Sequence, residues 1–196
     1  MVRLDVEMDE KFFKQLKIVS SEAGRKSMCS AINDSLKSGK TSLKRETSKI
    51  YNIKQKEVDS NSKVNRCTEN NLKKGNIKIE GRRLTIGTST HFSHTPREYS
   101  TQRGVKVSRR KKISVTVKKG SKKKMPHAFI VNPGSIHGGN TMIWIRERSK
   151  IAPVKTVSIP QMVENDRIKD NISKTMIEKY HNRFEHYWNR NMKKMR

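Results

Sequence analysis

Apolar side chains along this chain change their spacing several times, and each change marks a boundary between element types. Residues 2–8 alternate, with Val2, Leu4, Val6 and Met8 on one face and Arg3, Asp5 and Glu7 on the other. A period of two predicts a strand with one wet face. Asp9 then offers an N-cap ahead of Phe12, Phe13 and Leu16, which predicts a short helix. Gly24 reads as an interruption. From 27 to 50 the apolar positions Met28, Ala31, Ile32, Leu36 and Leu43 follow helical spacing, predicting a long helix with one buried stripe and a broad polar face. Asn52 and Ile53 end it, and a brief second helix is expected over 54–60.

After Asn61 the period shortens. Ile77/Ile79 and Leu84/Ile86 predict strands over 76–80 and 82–87, joined tightly at Gly81, followed by a polar loop over 88–104. Val105/Val107, Ile113/Val115/Val117, Ala128/Ile130 and residues 142–145 predict four more strands, and Val157/Ile159 a last short one. Apolar residues alternate there with basic or polar ones, as in antiparallel strands with one solvated face. Pro160 suits the first turn of a helix. From 161 to about 192, Ile168, Ile172, Met176, Tyr180, Phe184 and Trp188 recur every four residues, flanked by Ile177 and Tyr187. A repeat of four on a helix of 3.6 residues per turn drifts, so the two ends of that stripe face different neighbours. The expected fold is α+β, an antiparallel β-sheet flanked by N-terminal helices and a long C-terminal helix. It forms a single domain, with an N-terminal strand and helices in 1–60, a basic sheet with hairpin loops in 61–160 and the last helix in 161–196.

Charge changes the picture most. The 196 residues carry 45 Lys plus Arg against 18 Asp plus Glu, a formal net charge of +27. Such an excess disfavours an isolated compact state and points to a polyanion or an acidic partner, DNA above all. Apolar residues make up 32% of the chain, against about 45–50% in ordinary domains, a figure that also counts Gly. A thin core implies that neighbouring subunits or partners supply part of the stability. Cys29 and Cys67 stand apart with no CxxC or Cys/His cluster, which suits a reducing compartment rather than a disulfide framework. No apolar run reaches the length of a membrane span, and acids occupy the N-terminal stretch where a signal peptide would be apolar. Folding in a cytoplasm is expected, with no membrane partner.

The densest chemical signal lies in residues 99–146, which contain no Asp or Glu. Arg103, Lys106, Arg109, Arg110, Lys111 and Lys112 form one basic group, and Lys118, Lys119, Lys122, Lys123 and Lys124 a second around Gly120. Hairpin tips built this way can reach phosphates without reading bases, because they lack the amide and aromatic groups that discriminate among bases. His91 and His94 have no cysteine or carboxylate at usable spacing, so they read as surface residues, and no metal or cofactor is expected. Glu164, Asp166 and Asp170 fit the positive end of the last helix. No carboxylate cluster, nucleophile motif or phosphate loop is present, 131–140 reading as a flexible hairpin loop. The chain is therefore expected not to be an enzyme.

Three stretches share a pattern with a known family. They are AINDSLKSGKTSLKRETSKIYNIKQKEV (31–58), HAFIVN (127–132) and MIWIRERSKIAPVKTVSIPQMV (142–163). In order and spacing they resemble the phage minor tail protein Z family over residues 25 to 185, although the basic run here is largely lysine where the family often shows arginine. The resemblance implies a virion protein that completes the head-proximal end of the tail and supports head–tail joining and genome passage. It also implies a homo-oligomeric, hexameric ring beside the tail terminator, tail tube, tape measure and connector, around phage DNA. Six copies would carry a formal charge of about 160. Phe129, Trp144, Arg146, Arg148, Phe184 and Trp188 are the expected oligomer or partner contacts. The alternative from charge alone is a stand-alone basic nucleic-acid-binding protein, ribosomal or nucleoid-like.

Overall fold

The structure, a computed structural model, describes residues 2–5, 21–86, 92–95, 113–131, 142–148 and 150–194. The helix expected after Asp9, the strand expected at 105–107 and most of the loop at 131–140 lie outside them.

Helix α1 (Glu22–Ile50) begins on Ser21, whose hydroxyl accepts from the Gly24 amide at 3.0 Å. Glu22 sits in the first turn and Lys49 in the last, each at the end its charge suits. Gly24 does not interrupt the chain as its sequence suggested. It lies inside the first turn, where the Ser21 cap fixes the helix start and outweighs glycine's poor propensity. The helix stops where Tyr51 turns extended, and α2 (Gln55–Ser60) follows.

The C-terminal helix is divided. Ser158 and Gln161 form a capping box, in which Gln161 Oε1 accepts from the Ser158 amide at 3.0 Å, and this starts α3 (Ile159–Val163). The strand expected to include Ile159 therefore ends one residue earlier. Asn165 then breaks the run: its carbonyl accepts from the Ile168 and Lys169 amides and opens α4 (Asp166–Lys194). Asn favours such caps because its side chain competes with helical backbone bonds.

Helices α1 and α4 pack antiparallel, as their contacts show. Glu46 meets Asn171 at 2.9 Å, Ser42 meets Thr175, Asp34 meets Tyr187 at 2.8 Å, and Ser27 meets Asn191 at 2.9 Å. Met28, Ile32, Leu36 and Leu43 of α1 and Ile168, Ile172, Met176 and Tyr180 of α4 are buried. Removing such a side chain from water contributes about 1.5–3 kcal/mol each. The drift of the four-residue repeat is visible: burial fails after Tyr180, and Phe184 and Trp188 are half-buried. Gly39 lets the helices approach, since a Cβ there would lie 2.5 Å from Met176 Sδ and 3.1 Å from Ile77 Cδ1.

The strands make four small antiparallel sheets rather than one. Strands β1 (Val2–Asp5), β2 (Ser62–Asn65) and β3 (Asn76–Ile79) pair in the order β1-β3-β2, and Ile77 and Ile79 of β3 are buried. β4 (Arg83–Thr85) pairs with β11 (Lys155–Ser158). β5 (Ser93–Thr95), β6 (Ile113–Thr116) and β7 (Lys123–Met125) form the third sheet. β8 (Ala128–Val131), β9 (Met142–Glu147) and β10 (Lys150–Pro153) form the fourth. The hairpin expected at Gly81 is absent, because β3 and β4 belong to different sheets. The Glu80 amide instead donates to the Asn61 carbonyl at 3.0 Å. β2, β5, β7 and β10 were not foreseen. Backbone bonds among Ile86, Ile143 and Val154 join the second sheet to the fourth.

Candidate functional site

Of the basic residues singled out in the sequence, Lys118, Lys119, Lys122, Lys123 and Lys124 can be placed. Arg103, Lys106, Arg109, Arg110, Lys111 and Lys112 lie outside the described residues. β6 is the central strand of its sheet, with Ile113, Ser114 and Val115 buried. The chain then reverses at Gly120, which takes φ of +80°, a left-handed conformation that costs glycine nothing. The Ser121 amide closes the turn on the Lys118 carbonyl at 3.1 Å. β7 returns in register, Lys123 opposite Val115 and Lys124 opposite Ser114. Lys123 and Lys124 thus stand on a strand, not in the tip, and all five lysines are exposed.

This hairpin is pinned to the end of α1. The Asn52 amide donates to the Val117 carbonyl and the Lys119 amide to the Ile50 carbonyl, each at 2.9 Å. Asn52 Nδ2 donates to the Thr116 carbonyl at 3.4 Å, and the Lys118 ammonium stands 5.8 Å from the centre of the buried Tyr51 ring. The residues that end the helix therefore hold the base of the hairpin. Sequence reasoning read Asn52 only as a helix stop. A polar residue at a helix end next to a buried aromatic was the available signal.

Among the described residues none of these five lysines makes an ion pair. Several acids elsewhere are engaged. Asp59 takes Lys40 and Lys44, both at 3.1 Å, and these two ammonium groups hold its carboxyl below the ordinary range. Lys49 and Asn171 do the same for Glu46. Asp34 receives Lys37 and Arg183, each at 3.6 Å. A surface with exposed, unmatched cations attracts phosphate oxygens and releases their counterions on contact.

The residues expected to touch partners are spread out. Phe129 and Trp144 are register neighbours on β8 and β9, and both are half-buried. Arg146 is exposed on β9, and Arg148 is exposed in the following turn with φ of 53°. Phe184 and Trp188 stack in file on α4 after Tyr180, with centroids 5.9 and 6.3 Å apart.

Cys29 and Cys67 were read as isolated, yet their sulfurs lie 3.5 Å apart. Each thiol donates to the other residue's carbonyl at 3.4 Å, and Asn33 bonds both the amide and the carbonyl of Cys67. Burial first, then the neighbouring thiol, pushes the Cys67 thiol up to about 12. No spacing rule could have found this pairing, because 38 residues separate the two.

Among the described residues no group of three or more His, Cys, Asp or Glu could hold a metal ion, and no helix is long and apolar enough to cross a membrane. Comparisons with curated proteins and with solved structures gave no match. Comparison with protein families matched residues 9–195 to Prophage minor tail protein Z (GPZ). The match runs through both long helices, all the strands from β2 onward and the basic hairpin between them. A protein of this kind is a structural part of the phage virion and contacts other tail proteins. The chain belongs to the prophage minor tail protein Z family.

Proposed function

We propose that this tail protein completes the head-proximal end of the tail, joins it to the head, and borders the channel through which the genome leaves. In this reading six copies form a ring beside the tail terminator, tail tube, tape measure and connector, and the basic hairpins approach phage DNA. One observation carries it: the β6–β7 hairpin presents Lys118, Lys119, Lys122, Lys123 and Lys124 to solvent without an acid partner among the described residues, on a base tied to α1. Cations held on a rigid base and left unneutralised are suited to meeting a phosphate backbone in an assembly. Arg103, Lys106 and the 109–112 cluster extend the same basic region in sequence. Half-buried Phe129, Trp144, Phe184 and Trp188, with exposed Arg146 and Arg148, are the proposed subunit contacts.

The test is genetic and visual. Phage carrying Gln at the five hairpin lysines, and phage carrying Ser at 109–112, should still build tails of normal length seen by electron microscopy. Head joining or DNA delivery should fall at least tenfold. Normal infectivity in both would overturn the DNA-facing role. A map of purified particles that placed the chain at the distal tip would overturn its position.

A further inference from the structure

A second basic surface lies on the β1-β3-β2 sheet. β3 buries Ile77 and Ile79 and turns Asn76 and Lys78 outward. β2 places Lys63 opposite Lys78 and Asn65 opposite Asn76, and Arg3 of β1 holds the register position on the other side of Lys78. Like charges set directly opposite each other on one sheet face are unfavourable unless something neutralises them. Glu80 meets Lys78 at 2.6 Å, whereas among the described residues neither Arg66 nor Lys74 makes an ion pair.

Those two cations stand on the rim of an open groove of about 510 Å³, lined by Val64, Asn65, Arg66, Lys74, Asn76 and Lys78. Among the described residues no carboxylate lines it, although Glu80 beside it holds the Lys78 ammonium. Its floor is fixed by cross-strand pairing, and Asn65 Nδ2 donates to Asn76 Oδ1 at 2.8 Å, which leaves the Asn76 amide protons for a ligand. Its rim is fixed as well. Arg66 adjoins Cys67, whose backbone is bonded to Asn33. Lys74 adjoins Gly75, where a Cβ would lie 3.0 Å from Ile32 and 3.2 Å from both Cys67 and Leu36. The 66–75 segment is thereby clamped to α1, so the groove is formed before any ligand arrives.

We propose that this groove binds a phosphate oxyanion, with Arg66 and Lys74 supplying charge and Asn76 a directed amide donor. A planar guanidinium with an ammonium group and an amide matches a tetrahedral oxyanion with several acceptor oxygens better than a single carboxylate. The source is a nucleic-acid backbone or free phosphate, and the site is independent of the hairpin lysines.

The test uses the full chain with all hairpin lysines intact. Inorganic phosphate should shift the amide resonances of Asn65 and Asn76. Arg66→Gln with Lys74→Gln should abolish that shift. Asn76→Asp should do the same, since it can keep the bond from Asn65 while placing a negative charge in the groove. With a short labelled DNA duplex, the double variant should bind about tenfold more weakly, and its salt slope should fall by about two. Shifts with phosphate but an unchanged duplex affinity would uphold the site and assign it a free oxyanion. Unmoved amides under both ligands would overturn it. So would a larger response to polyglutamate than to either ligand, which would make the groove a docking surface for acidic protein.

Discussion

In the layer formed by α1 and α4, Lys26, Lys37, Lys40, Lys44, Lys49 and Arg183 each have a carboxylate within 3.6 Å. In the β6–β7 hairpin, Lys118, Lys119, Lys122, Lys123 and Lys124 have none among the described residues, although the chain that supplies both regions is the same strongly basic one. The helical layer also buries Ile168, Ile172, Met176 and Tyr180 of α4, although Ile177 and Met192 stay exposed, while on β7 only Met125 is half-buried against the core. The helical layer satisfies more of its charge and apolar surface within the molecule. The hairpin leaves its charge for something outside it, as a component of a tail assembly would.

The widest separation between the regions should appear on truncation. Leu36→Ala or Ile172→Ala removes a fully buried side chain from the helical layer and should lower stability by about 2–5 kcal/mol. Lys123→Ala on the hairpin should change it by less than about 0.5 kcal/mol. Urea denaturation midpoints check both, and equal losses at the two sites would erase the distinction.

Crowding at the helix crossing gives a somewhat smaller effect. Gly39→Leu forces atoms into space held by Met176 and Ile77, and should cost about 1–3 kcal/mol. Repeating it in a Met176→Ala background should recover much of that loss, because the first atom met is the Met176 sulfur. Additive losses in the double-mutant cycle would show that the close approach is not where the helices are set.

Alkaline pH sharpens the comparison further. Burial pushes the Tyr180 hydroxyl from 10.0 up to about 12, and the Cys67 thiol from 9.0 up to about 12. Both groups are neutral in either state below pH 9, so their full contribution is present there. Above pH 9 the unfolded chain ionises first, and stability should fall as pH rises toward about 12. The variant carrying Cys67→Ala and Tyr180→Phe should decline less steeply than the parent in the same buffers. Identical pH profiles would mean the buried groups do not control alkaline unfolding.

The two regions also differed in how far they could be read from sequence. Helix α1 was expected over 27–50 and runs over Glu22–Ile50, because one-face spacing and capping are local signals. The four-residue repeat of α4 was correct down to the drift that leaves Phe184 and Trp188 half-buried, but the break at Asn165 was missed. The strands fared worse for a physical reason. Their partners are remote, β4 with β11 and β1 with β3, so a turn residue such as Gly81 suggested a local hairpin that the chain does not make. β2 is Ser-Lys-Val-Asn, with a single apolar residue, and gives no alternation to detect. The basic run was plain in composition. That its base would be tied to Asn52, and that Cys29 would meet Cys67, depends on tertiary contacts no spacing encodes.

The smallest effect tests the charge argument itself. If the hairpin lysines are uncompensated, their mutual repulsion disfavours the isolated folded chain at low ionic strength, where the Debye length exceeds about 10 Å. Adding salt should then raise the urea midpoint of the parent protein, by an amount on the order of 0.5 kcal/mol, until screening is complete. Gln at all five positions should flatten that rise and raise the low-salt midpoint slightly. Gln at Lys40 and Lys44 should act in the opposite sense, because both ammonium groups face Asp59 and their attraction weakens as salt is added. The sign of the difference between the two variants is what matters. The same sign in both would mean that proximity to carboxylates does not divide the cations of this protein into two kinds, and that the hairpin's unmatched charge is no more available to a polyanion than any other lysine on the surface.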